Sequence, residues 1–171
     1  SCNSIVRNNI ANNEEHGICL FAWRWASLSY YNIVGNNITN NVGHGIYLYA
    51  YHYSSVSYNS MVLNKITNNG QNGVYLFPSS STSYSMYNSM IGNNITNNMY
   101  GIYLYNSPYN VIYHNNFVNN THQVFTSGLF NVWDNGYPSG GNYWSDYNGT
   151  DLYSCRYQNE TGSDGIGDTP Y

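Results

Sequence analysis

One six-residue phrase recurs along the chain. It reads Asn8-Asn9-Ile10-Ala11-Asn12-Asn13, Asn36-Asn37-Ile38-Thr39-Asn40-Asn41, Asn64-Lys65-Ile66-Thr67-Asn68-Asn69 and Asn93-Asn94-Ile95-Thr96-Asn97-Asn98, with a looser copy at Asn115-Asn116-Phe117-Val118-Asn119-Asn120. The central apolar residues are 28, 28, 29 and 22 positions apart. Self-similarity at this period marks a repeat architecture, in which one unit cannot bury its apolar side alone and stacked units share a core. Six or seven residues after each central isoleucine comes Gly-Ile/Val-x-Leu, at Gly17, Gly45, Gly73 and Gly101. Five residues before it stands another apolar residue: Ile5, Ile33, Met61, Met90 or Ile112. Each unit thus holds three short alternating segments bounded by Asn or Gly, which read as three strands joined by turns.

Parallel stacking at about 4.8 Å per coil sets equivalent residues in files. Ile10, Ile38, Ile66 and Ile95 form one buried file, Ile18, Ile46, Val74 and Ile102 a second, and Leu20, Leu48, Leu76 and Leu104 a third. Asn8, Asn36, Asn64, Asn93 and Asn115 fall at one corner, where Asn tolerates left-handed backbone and can bond the amides above and below. These asparagines are expected to be structural.

The N-x-I-x-x-N-x-I-x-N-N and G-I-x-L landmarks resemble the right-handed parallel β-helix repeats of the NosD-like family, within the pectate-lyase-like superfamily. The likeness runs from Asn3 to about Asn120. Gly141-Asn142-Tyr143-Trp144-Ser145-Asp146-Tyr147 and the segment from Asp164 to Tyr171 look like the tails of archaeal surface members. The resemblance implies an all-β solenoid of about five to six coils over residues 1–135, with an irregular cap or tail over 136–171. It says less about function, because such families hold copper-insertion helpers, surface proteins and sugar-active enzymes.

Composition narrows the classes. Charged residues are 7% of the 171, four of them basic, and the net charge is −4, which leaves no basic footprint for nucleic acid or anionic membrane. No run of 18 apolar residues is present, so no membrane span is expected. The opening at Ser1-Cys2-Asn3, inside a coil and without a signal peptide, suggests processed or trimmed material. Cys2, Cys19 and Cys155 leave an odd thiol, to be idle or to pair between chains. Cys2 aligns with Tyr30, Tyr58, Tyr87 and Tyr109, and Cys19 with Tyr47, Tyr75 and Tyr103, which places both near outer faces.

Candidate sites lie on the outside. Asn-x-Thr triplets at Asn37, Asn94, Asn119, Asn148 and Asn159 are acceptors for N-linked glycans in a secreted protein. The first three coils carry extra residues after Gly-Ile-x-Leu, and strict alternation there sends Phe21, Trp23 and Trp25 outward beside Tyr47, Tyr49, Tyr51 and Tyr53. Tyr75, Phe77, Tyr103 and Tyr105 continue this aromatic wall, which marks a partner surface for protein or sugar unless the extra segment folds back over it. His16 and His44 stack one coil apart, a pair that suggests copper or zinc, yet their file continues as Asn72 and Tyr100 without a third ligand; a solvent-facing pair is the expectation. In the tail, Asp146, Asp151, Asp164 and Asp168 offer hard oxygens to calcium, or else form a solvated acidic turn.

Between His16 and Trp133 there is no Asp or Glu, so the coils lack the carboxylates of sugar cleavage. The expectation is a non-enzymatic secreted structural glycoprotein with no required cofactor, a homo-oligomer building an extracellular filament or cell-surface layer by head-to-tail stacking. The alternatives are a carbohydrate-binding module and a NosD-like copper-binding accessory protein.

Overall fold

The computed structural model describes residues 3–128, 130–169 and 171. Cys2, for which the sequence suggested a position near an outer face, lies outside them.

The strands form three parallel walls that share one interior. The first holds Asn3–Val6, Tyr31–Val34, Ser60–Val62, Ser89–Ile91 and Val111–Tyr113. The second holds Asn9–Ala11, Asn37–Thr39, Lys65–Thr67, Asn94–Thr96, Asn116–Val118 and Tyr143–Trp144. The third holds Ile18–Trp23, Ile46–Tyr51, Val74–Pro78, Tyr100–Leu104 and His122–Thr126. The chain visits the walls in turn and makes a β-solenoid of about five turns. Register follows the repeat, with Ile10, Ile38, Ile66, Ile95 and Phe117 directly paired. The interior files Ile38, Ile66, Ile95, Leu48, Leu76 and Leu104 are wholly buried.

Asparagine holds all three corners. At the first, the Asn36 carboxamide oxygen accepts the backbone and side-chain N–H groups of Asn8 (2.9 and 3.1 Å). The pattern passes through Asn64, Asn93 and Asn115 to Asn142. A second ladder links Asn13, Asn41, Asn69, Asn98 and Asn120. A third links Asn59, Asn88, Asn110 and Asn131. The ladder asparagines do not themselves occupy the left-handed region, as the sequence suggested. Up to the last step at Asn142, the residue before each does: Arg7, Gly35, Leu63, Gly92 and His114 at the first corner, Asn12, Asn40, Asn68, Asn97 and Asn119 at the second, and Tyr58, Tyr87, Tyr109 and Phe130 at the third. That single reversal of φ turns the chain through the corner and aims the next carboxamide along the stack.

The glycine that opens Gly-Ile-x-Leu is fixed by close approach. A Cβ on Gly73 would stand 2.6 Å from the Gly101 carbonyl oxygen and 2.7 Å from Ile95 Cγ2.

The far end is covered. Trp144 stacks on Phe117 (ring centroids 4.5 Å apart) and Tyr171 stacks on Trp144 (4.3 Å). The tail adds a small antiparallel pair, Tyr153–Ser154 with Glu160–Thr161. It therefore lies across the apolar file at this end.

Asn64→Ala removes two acceptor contacts, orphans the Asn36 backbone amide and takes one donor from the Ile33 carbonyl. Chemical denaturation should show a loss of about 3 kcal/mol. Asn94→Ala, one residue past the ladder position Asn93 of the next coil and exposed, should lose less than about 0.5 kcal/mol.

Candidate functional site

The aromatic wall exists and faces outward, with its rings stacked on one another. Phe21 lies on Tyr49 (5.0 Å), Tyr49 on Phe77 (5.7 Å), Trp23 on Tyr51 (4.7 Å) and Tyr47 on Tyr75 (5.2 Å), with interplanar angles of 12–27°. Near-parallel rings this close must overlap face to face with an offset, because coplanar rings would collide. The faces are thus turned to each other along the stack, and solvent meets ring edges and hydroxyls. Tyr103 turns edge-on to Tyr75, and Tyr105 tilts against Phe77. Tyr47 and Tyr75 are half-buried, and this burial, with neighbouring phenols adding to it, raises both hydroxyl pKa values, that of Tyr75 to about 12.

Strict alternation ends at Trp23 and Tyr51, where the strands end. Arg24 and Trp25 in coil one, and His52 and Tyr53 in coil two, all take left-handed backbone. This double reversal swings Trp25 and Tyr53 off the wall as a separate stacked pair, 4.5 Å apart at 7°. The extra segment continues as a short parallel pair, Ser27–Ser29 with Ser55–Ser57. It does not bury the wall, since Phe21 and Trp23 remain about half exposed.

A second aromatic file stands on the third corner, where Tyr30, Tyr58, Tyr87, Tyr109 and Phe130 stack at 5.1–5.8 Å. All five are exposed.

The histidine pair differs from expectation. His16 and His44 do stack, 4.9 Å apart, but His44 is buried and His16 is half-buried. His16 Nδ1 accepts the His44 backbone N–H (3.0 Å), and His44 Nδ1 accepts that of Asn72 (3.1 Å). The imidazoles therefore link coil to coil as the corner carboxamides do, but they accept from the later coil where the carboxamides accept from the earlier one. Each is neutral, with its remaining proton on Nε2. Burial, reinforced by the neighbouring His16, pushes His44 down to about 4; burial lowers His16 also, against Glu15. Among the described residues, no three His, Cys, Asp or Glu side chains gather where they could hold a metal ion.

The tail carboxylates are engaged as loop clips. Asp151 accepts Ser163 Oγ–H and the Asp164 and Gly165 amides, which hold its pKa low. Asp168 accepts the Leu152 and Tyr153 amides, Asp164 the Ile166 amide and the Gln158 side chain, and Asp146 the Tyr171 hydroxyl. The four fix the tail from separate positions. Of the glycan acceptors, Asn94, Asn119, Asn148 and Asn159 are exposed. Asn37 is half-buried and donates its Nδ2, the atom a glycan would need, to Asn9 Oδ1 at 2.7 Å. Cys19 and Cys155 are free thiols, and the Cys155 thiol donates to Asn159 Oδ1 (3.0 Å).

His44 makes stability depend on pH. In the unfolded chain it gains a proton as pH falls below about 6.5, whereas in the fold it stays neutral to about 4. Stability is therefore complete above the unfolded value and declines as pH falls between the two, by up to about 3 kcal/mol. His44→Asn keeps a ladder acceptor and should flatten that slope in urea unfolding from about pH 7 to about pH 4.5.

No curated protein matches the chain. A family model described as periplasmic copper-binding protein (NosD) matches residues 1–149. It spans all three asparagine ladders and the first strand of the tail. This chain belongs to the NosD family.

Proposed function

We propose that this chain is a non-enzymatic β-helix scaffold of the extracytoplasmic side, a subunit of a cell-surface layer or filament. One observation carries the reading: the polar side chains of the coils are engaged in holding coil to coil. The corner asparagines are locked in ladders, His16 and His44 accept backbone amides, and the coil walls have no carboxylate between His16 and Trp133. What remains outside is a neutral surface of ring edges and hydroxyls, the kind of surface on which Tyr and Trp anchor protein contacts. With the far end covered, the contact is lateral, wall against partner. The family's description as periplasmic and the exposed Asn-x-Thr triplets support a place outside the cytoplasm. No described helix is long and apolar enough to cross a membrane.

The family description favours a second reading, copper binding. The His16–His44 pair fits a copper centre poorly, because both Nδ1 lone pairs are already accepting backbone protons and no further donor converges on them among the described residues. Titration with copper in a calorimeter separates the two. Stoichiometric binding that disappears in His16→Gln supports the copper reading and overturns the scaffold as the main role.

Light scattering and electron microscopy of the native chain across a concentration series should show ordered assemblies. Replacing Phe21 and Tyr49 by Asp, at the outer face, should return monomers without changing the circular dichroism. Monomers at every concentration would defeat the proposal.

A further inference from the structure

The five Asn-x-Thr triplets of the chain show a bias. Five of the nine threonines stand two residues after an asparagine, and none of the twenty serines does. Serine is the commoner residue, so chance in an asparagine-rich chain would favour Asn-x-Ser. Thr39 and Thr96 come with the repeated phrase, but Thr121, Thr150 and Thr161 lie outside it. These three are exposed, so packing does not call for their methyl groups. An enzyme that grips the third residue of a triplet by its hydroxyl gains apolar contact from that methyl as well.

The fold divides the triplets. Asn37 and Thr39 lie in the second wall, where Asn37 gives Nδ2 to Asn9, its Oδ1 is buried and Thr39 is half-buried. Asn94 is exposed, but Thr96 in the same strand is half-buried and its hydroxyl donates to Thr67 Oγ1 at 2.7 Å. The other three triplets are open at both ends. Asn119 stands at the second corner, Asn148 in the loop after Tyr143–Trp144 and Asn159 in the turn before Glu160–Thr161, and all are exposed together with their threonines. Among the described residues the Nδ2 groups of these three asparagines donate to nothing. Asn159 uses only Oδ1, as acceptor for the Cys155 thiol, and Thr150 makes one long bond to Asp168 (3.4 Å).

We infer that, on the folded chain, Asn119, Asn148 and Asn159 carry N-linked glycans while Asn37 and Asn94 stay bare. In the transfer, Nδ2 attacks the anomeric carbon of a glycosyl donor held on a lipid diphosphate. The C–N bond forms, the bond from that carbon to the diphosphate oxygen breaks, one carboxamide proton passes to a base of the transferase, and the lipid diphosphate departs. The inference rests on the extracytoplasmic placement in the proposed function, because such acceptors are used in secreted proteins. The three acceptors belong to the last coil and the tail, coils away from Phe21 and Tyr49, so the sugars leave that part of the aromatic wall free for contact.

The test is mass spectrometry of chymotryptic peptides from the chain purified from its own cells, with cell fractionation alongside. Asn119, Asn148 and Asn159 should each gain the mass of a whole number of monosaccharide residues, and Asn37 and Asn94 none. Thr121→Val, expressed in the same cells, should strip the sugar from Asn119 alone with an unchanged melting curve. Any of the three found bare on a chain recovered outside the cytoplasm overturns the assignment at that residue and leaves the scaffold reading standing. Sugar as often on Asn37 or Asn94, or a sugar on Asn119 that survives Thr121→Val, overturns the inference as a whole. A chain confined to the cytoplasm overturns both readings.

Discussion

The structure depends on a carboxamide that accepts two N–H groups from the coil before it and donates to the coil after it. A solenoid this poor in charge has few other means of fixing register. The apolar files supply most of the burial, but Ile against Ile tolerates sliding. A buried carboxamide does not, because a slip by one residue leaves several amide groups without partners. Three ladders at three corners fix the stack as three pins would, and coils of 28, 29 or 22 residues stack alike because the length difference lies outside the corners.

The same constraint limits chemistry. Side chains that serve as ligands or catalysts elsewhere are taken up by the backbone here, and the histidines show it most clearly. His44 occupies a file that continues as Asn72, and it accepts the next coil's amide, whereas a ladder asparagine accepts from the coil before. What the coils leave free is aromatic surface. Along the wall the ring faces cover one another from coil to coil, and Trp25 and Tyr53 stand apart as a separate stacked pair.

Most of the fold was legible in the sequence. The six-residue phrase fixes register because each copy carries two ladder asparagines around one core isoleucine, and Ile38 and Ile66 are stacked neighbours as the spacing requires. The third ladder is harder to read, since coil two places Tyr31 where the others have Asn, and a broken file hides a hydrogen-bond chain that resumes at Asn59. Burial of His44 was not legible from its residue type, although Asn72 in the same file is the signal that the position is a ladder. The turning aside of Trp25 and Tyr53 lay beyond alternation, which assumes a strand and has no term for two successive left-handed residues. The role of the tail carboxylates depended on loop geometry that spacing alone does not encode.

The ladder amides all point the same way. In each file the oxygen faces the earlier coil and an N–H faces the later one. Backbone hydrogen bonds within the walls run in both directions, so their dipoles largely cancel, whereas the three files add. At the last coil the outgoing donors of Asn120 and Asn131 are received by Gln123 Oε1 and Thr126 Oγ1. A stack with almost no formal charge on its walls thus carries a fixed electrical direction, running from each coil to the next.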